Sequence, residues 1–159
     1  LYSRLSHVES NPLAELFNES WLHNCTHLFR SVSVTEKYFE NAHAYMEWTW
    51  LAFRLALNEK NVAVIDTQTF RYNNTPESLS KSSNFLMARV KLYERMLPMN
   101  PGKEIEKIIK RRMSSAWHDI SVFELSEGNR PKAIKAHFRS LNSHWTGLKF
   151  LSYTRHLIA

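Results

Sequence analysis

The chain has 159 residues, 43% hydrophobic and 13% aromatic, with a formal charge of +6 and a pI near 9.6. Three Gly and five Pro are too few for a disordered or loop-rich chain, and the single cysteine, Cys25, excludes an internal disulfide framework. No run approaches the roughly 18 apolar residues of a membrane span. The start has neither a signal-peptide apolar region nor an initiator Met, so a piece of a longer polypeptide is expected.

Pro12 breaks any long helix in the first twenty residues. Residues 24–34 are rich in β-branched and aromatic side chains, with Thr26, Leu28, Phe29, Val32 and Val34, and predict a strand. Ser33 or Thr35 is placed to cap a short helix over residues 36–39. Residues 45–58 predict a helix, because Met46, Trp50, Phe53 and Leu57 recur at spacings of four, three and four. Residues 61–66 predict a short buried strand and 67–72 an extended segment, ended by Asn73-Asn74-Thr75-Pro76.

After Ser80 the pattern becomes helical throughout, which places a boundary between residues 1–80 and 81–159. Helices are predicted over 84–97, 103–125, 131–141 and 143–158. Pro98 and Pro101-Gly102 stop the first, and Pro131 opens the third. The basic run Lys107-Ile108-Ile109-Lys110-Arg111-Arg112 has its apolar residues at helical spacing, the pattern of a solvated helix face. With no aromatic–basic alternation on a predicted strand and no helix-turn-helix cue, a nucleic-acid partner is not expected.

His23 and His27 are four apart and His137 and His144 seven apart, with no Glu or Cys completing a metal set, so no metal site is expected. A lone thiol fits a reducing compartment. The expected location is the cytoplasm, including the inner face of the membrane as a peripheral protein. The Asn18, Asn24 and Asn73 sequons are read as chance tripeptides.

Four segments fall in an order that resembles family 2 inverting glycosyltransferases of GT-A fold. Thr26-His27-Leu28-Phe29-Arg30, followed by Val34 and Phe39, is similar to a strand ending in Phe-Arg that leads to a helix and an acidic loop. The run from Met46 to Leu57 looks like the family's acidic pair, tryptophan and Arg-Leu-Ala helix. The run from Asn61 to Asp66 is similar to the strand that follows. Tyr72 to Ser80 resembles the closing loop. The resemblance covers roughly residues 20–81.

It implies an α+β, mainly helical fold: the acceptor-side half of a GT-A-like domain, then an antiparallel helical tail. The implied reaction is transfer of a hexosyl or hexosaminyl group from a nucleotide sugar to a glycan or other hydroxyl acceptor, as in bacterial polysaccharide synthesis. Inverting transfer needs a general base on the acceptor hydroxyl. Glu47 is the one carboxylate between Glu40 and Glu59 and is the candidate. The family has two adjacent acids there. Alignment from Arg54 without a gap puts Glu47 at the first acid and Trp48 at the second, whereas a slip of one residue puts Glu47 at the base. Trp48, Arg54, Asn73, Asn74 and Thr75 fall in the acceptor or donor-phosphate vicinity, with Thr75 where the family often carries histidine.

The family's Asp-x-Asp motif, which holds a divalent cation, is missing from the chain. No cofactor is therefore expected on this chain by itself. Mg or Mn is expected in the complete enzyme, and the isolated chain is expected to be inactive. A GT-A core divided at its middle exposes a strand edge and apolar faces, so self-association is expected.

Residues 116–141 resemble one tetratricopeptide-like unit, with Trp117 and Ile120 facing inward, Gly128 at the turn and small Ala133 at a close approach. One unit is fewer than the roughly three that a solenoid needs. It must therefore lean on neighbouring helices, and residues 103–159 are a candidate surface for a protein partner. The alternative function is a helical protein–protein interaction module without catalysis.

Overall fold

In a computed structural model, residues 2–18, 21–22, 27–42, 44–65, 83–145 and 148–158 are described. They form seven α-helices: α1 (Tyr2–Ser10), α2 (Pro12–Asn18), α3 (Glu47–Leu57), α4 (Ser83–Met96), α5 (Lys103–Ser126), α6 (Arg130–Ser143) and α7 (Leu148–Ile158). Short 3-10 turns at Glu36–Tyr38 and Leu97–Met99 precede α3 and follow α4. The chain divides into two units, Leu1–Pro76 and Glu77–Ala159.

In the first unit, Asn11 caps α2. Its Oδ1 accepts the N–H of Ala14 at 3.2 Å, and Pro12 takes the first helical position, where its missing N–H is not needed. α3 supplies most of the core: Trp50, Leu51, Ala52, Phe53, Leu55 and Ala56 are buried, together with Leu16 and Phe17 of α2. Phe17 meets Phe53 edge-on at 6.5 Å. The helix ends as its pattern predicts, with Asn58 at the C-cap. Lys60 N–H returns to Leu55 C=O and Glu59 N–H to Ala56 C=O, the two bonds of a Schellman motif. The left-handed residue that this motif requires is Glu59, at φ 53°.

The expected β element does not form over the described residues. Residues 27–34 and 61–65 adopt no strand, and the rest of the spans 24–34 and 61–72 lies outside the described residues. The segment 61–65 is instead tied to α1, where Val64 N–H donates to Glu9 Oε1 at 2.8 Å. The described residues are therefore mainly helical and lack the strand content of an α+β fold.

The second unit is built on α5. Val90, Ala116, Trp117, Ile120 and Ala136 form its buried cluster, with Leu86, Met87, Tyr93 and Met113 packed against it. Arg89 of α4 pairs with Asp119 of α5 at 2.7 Å. The turn into α6 is a second Schellman motif: Asn129 N–H reaches Glu124 C=O and Gly128 N–H reaches Leu125 C=O. Gly128 is the left-handed residue, at φ 77°, where a Cβ would be strained. α5 and α6 run antiparallel. Ser121 Oγ donates to Ala133 C=O near the turn, and Ser114 Oγ meets Ser140 Oγ two turns further out.

Candidate functional site

Glu47 is the first residue of α3, with Met46 at the N-cap. Its Oε1 accepts the N–H of Tyr45 at 3.1 Å, and the side chain is otherwise exposed. A carboxylate here is also favoured by the positive end of the helix dipole. Tyr45 has φ 71°, a left-handed conformation that is costly for an aromatic residue. The carboxylate thus stands at a helix start beside a strained backbone, oriented by one short-range hydrogen bond.

Trp48 follows on the next face. Its ring lies 4.5 Å from His27, which lies 4.4 Å from Phe29, which in turn meets Phe39 edge-on at 6.3 Å. The segment around Phe29 and the start of α3 around Trp48 are joined by this row of rings.

Arg54 is engaged with the backbone of the loop that precedes α3. Its Nη1 donates to the carbonyls of Lys37 at 2.6 Å, Tyr38 at 2.9 Å and Glu40 at 3.3 Å. The guanidinium also stacks over Tyr38 and Trp50, at 5.5 and 5.8 Å. Trp50 Nε1 adds a bond to Glu40 C=O at 3.3 Å. Arg54 therefore fastens the 3-10 turn onto α3 and shapes the wall of the site. Asn73, Asn74 and Thr75 lie outside the described residues, as do His23 and Cys25.

The second unit carries a buried polar cluster that the spacing of its residues signals only in retrospect. Tyr153 of α7 lies between two histidines, 4.6 Å from His118 and 5.1 Å from His137, both edge-on. Its hydroxyl meets Ser121 Oγ at 3.0 Å, and His137 Nε2 meets Thr154 Oγ1 at 2.5 Å. Burial, with the neighbouring His118 as a lesser cause, holds His137 below the ordinary histidine pKa. The available signal was the seven-residue spacing of small residues: Ser114 and Ser121 on α5, Ala133 and Ser140 on α6. Such a period marks one helix face that meets another closely.

Among the described residues no group of three or more His, Cys, Asp or Glu could hold a metal ion. Nor is any helix among them long and apolar enough to cross a membrane. An open groove of about 230 Å³ is lined by Asn84, Leu86, Met87, Ile120, Phe123 and Glu124. The chain matches no protein-family model, no curated protein and no solved structure.

Proposed function

We propose that the chain supplies the acceptor-side part of a glycosyltransferase that moves a hexosyl or hexosaminyl group from a nucleotide sugar to a glycan or other hydroxyl acceptor, with residues 81–159 as a helical tail. The observation that supports this best is the state of the two strand-like runs. Leu28 is 97% exposed, Val32 82% and Ile65 82%. Apolar side chains standing so fully in solvent are what the neighbouring strands of a larger sheet would bury.

In this reading Glu47 is the general base that takes the proton from the attacking acceptor hydroxyl. Trp48 and the rings of His27 and Phe29 form the wall against which an acceptor sugar stacks. Arg54 keeps that wall in place. Asn73, Asn74 and Thr75 belong to the donor-phosphate vicinity. The cation that neutralises the diphosphate, Mg or Mn, is held by the rest of the enzyme, which works in the cytoplasm at the inner face of the membrane.

The test is release of nucleoside diphosphate from a panel of nucleotide sugars by the full-length protein and its Glu47→Gln variant. The substitution keeps shape and removes basicity. Turnover is expected to fall by about 10²–10⁴-fold, with nucleotide-sugar binding retained. Turnover within a few-fold of wild type would remove Glu47 from the mechanism, and no turnover of any nucleotide sugar by wild type would remove the transferase.

A second reading, a helical interaction module without catalysis, is favoured by the large apolar side chains on the surface of the second unit, Phe138 and Trp145. Wild-type protein without transferase activity but with a partner retained through residues 103–159 is the outcome that selects it.

A further inference from the structure

The outer face of α6 combines aromatic and cationic side chains. Ala133, Ala136, His137 and Ser140 are buried against the rest of the second unit. Directly opposite them, at helical spacings of three and four, run Pro131, Lys135, Phe138 and Asn142, all exposed. Phe138 is 56% exposed, and Trp145, just past the end of the helix, is 60% exposed. Lys132 and Arg139 flank this stripe and are also exposed. α6 contains four cations and no acidic residue.

The cations are not wholly neutralised within the unit. Lys132 lies 3.8 Å from Glu124, too long for a hydrogen bond, with its side chain 69% exposed. Arg139 stacks on Trp117 at 4.6 Å, a contact that leaves its charge in place. The surplus extends through the unit: residues 77–159 carry fifteen Lys and Arg against seven Asp and Glu, whereas residues 1–76 carry six against eight. The basic character of the whole chain is therefore confined to the unit that displays Phe138 and Trp145.

We propose that the outer face of α6, with Trp145, is an interfacial docking surface for an anionic lipid bilayer. Phe138 and Trp145 enter the headgroup–acyl boundary while Lys132, Lys135 and Arg139 reach the lipid phosphates. Tryptophan and the aliphatic stems of lysine and arginine favour that depth, where one end is apolar and the other wet. The geometry selects a bilayer over a folded partner. The face is the convex outside of one helix, with Phe138 among cations and the exposed Trp145 two residues past the helix end. A stable protein interface needs a contiguous patch of about 800 Å² per partner, whereas a fluid bilayer conforms to a convex face. The inference does not rest on the transferase reading.

The experiment is co-sedimentation of the whole chain with vesicles of phosphatidylglycerol and phosphatidylcholine in equal parts, and with vesicles of phosphatidylcholine. Binding to the anionic vesicles is expected to be stronger by about fivefold for each cation engaged, and to weaken as salt is raised. The double variants Phe138→Ser with Trp145→Ser, and Lys132→Glu with Lys135→Glu, are each expected to lose about tenfold or more of it. All four positions are exposed, so circular dichroism should remain that of wild type.

Tryptophan quenching by bromine-labelled lipid chains gives the site itself. It is expected with wild type and should fall in Trp145→Phe; of the other tryptophans, Trp117 is buried in the unit core, and Trp21, Trp48 and Trp50 belong to the first unit. Three outcomes overturn the proposal: no sedimentation with anionic vesicles at low salt, equal binding to neutral vesicles, or double variants that bind as wild type does. Capture of RNA or an acidic peptide by this face, with vesicles ignored, overturns it as well.

Discussion

At the scale of single residues, Arg54 shows how one side chain fastens a loop to a helix. Its Nη1 reaches several carbonyls of one loop while the guanidinium plane stacks on Tyr38 and Trp50. A lysine offers one point charge and no stacking plane. Arg54→Lys is therefore expected to loosen residues 36–40 and to destabilise the first unit by up to about 1.5–3 kcal/mol, the range for a hydrogen bond to a charged group. Amide hydrogen exchange should show faster exchange from Tyr38 to Ala42, and urea unfolding a lower midpoint. Unchanged exchange in that loop would make the stacking and the bonds incidental. The sequence presents Arg54 as part of a motif but hides this use. The partners are backbone carbonyls, which every residue type carries, so no pattern of side chains announces them.

At the scale of elements, the polar cluster around Tyr153 ties α7 to the α5–α6 hairpin, and His137 makes that tie sensitive to pH. Burial favours the neutral imidazole, so the folded pKa lies below the ordinary value. The unfolded chain then takes up the proton first as pH falls below about 6.5. Stability from this group is fully present above that value and is lost progressively as pH falls through the lowered folded pKa. Wild type should lose urea resistance between about pH 7 and 5, and His137→Gln should show a shallower slope over the same window. Parallel slopes would assign the loss to other groups.

The helices α3 to α6 were legible because each carries an apolar stripe with a recognisable stop: Asn58 after α3, the Pro98–Gly102 region after α4, Gly128 after α5. α1 and α2 were not, since nine and seven residues are too few for a stripe to repeat. The strand-like runs misled for a different reason. β-branched and aromatic residues fit a pleated, half-buried surface, and that preference has force only where a partner strand provides the surface. Among the described residues neither run is paired, and Leu28, Val32 and Ile65 are left in solvent.

At the scale of the whole molecule, those same three side chains predict association. Uncovered apolar residues in solvent are expected to bring copies of the chain together. Static light scattering should report a mass that grows with concentration, and Leu28→Asp with Val32→Asp should suppress the growth. A monodisperse monomer at high concentration would count against a divided sheet. Growth that persists in this variant but vanishes in Phe138→Ser with Trp145→Ser would move the cause to α6. Of the candidate site, the resemblance names Glu47 and Trp48 as neighbours in sequence, and the structure adds the row of rings that joins Trp48 to His27 and Phe29. The donor side of the site was named only through Asn73, Asn74 and Thr75, outside the described residues.

Among the described residues, every substantial helix packing joins neighbours along the chain: α1 with α2, α2 with α3, α4 with α5, α5 with α6, α6 with α7. Packing between neighbours loses little loop-closure entropy before contacts form. During synthesis, the α5–α6 hairpin can close as soon as Ser143 has left the ribosome. The long α5 is then covered before its apolar stripe has time to meet another chain.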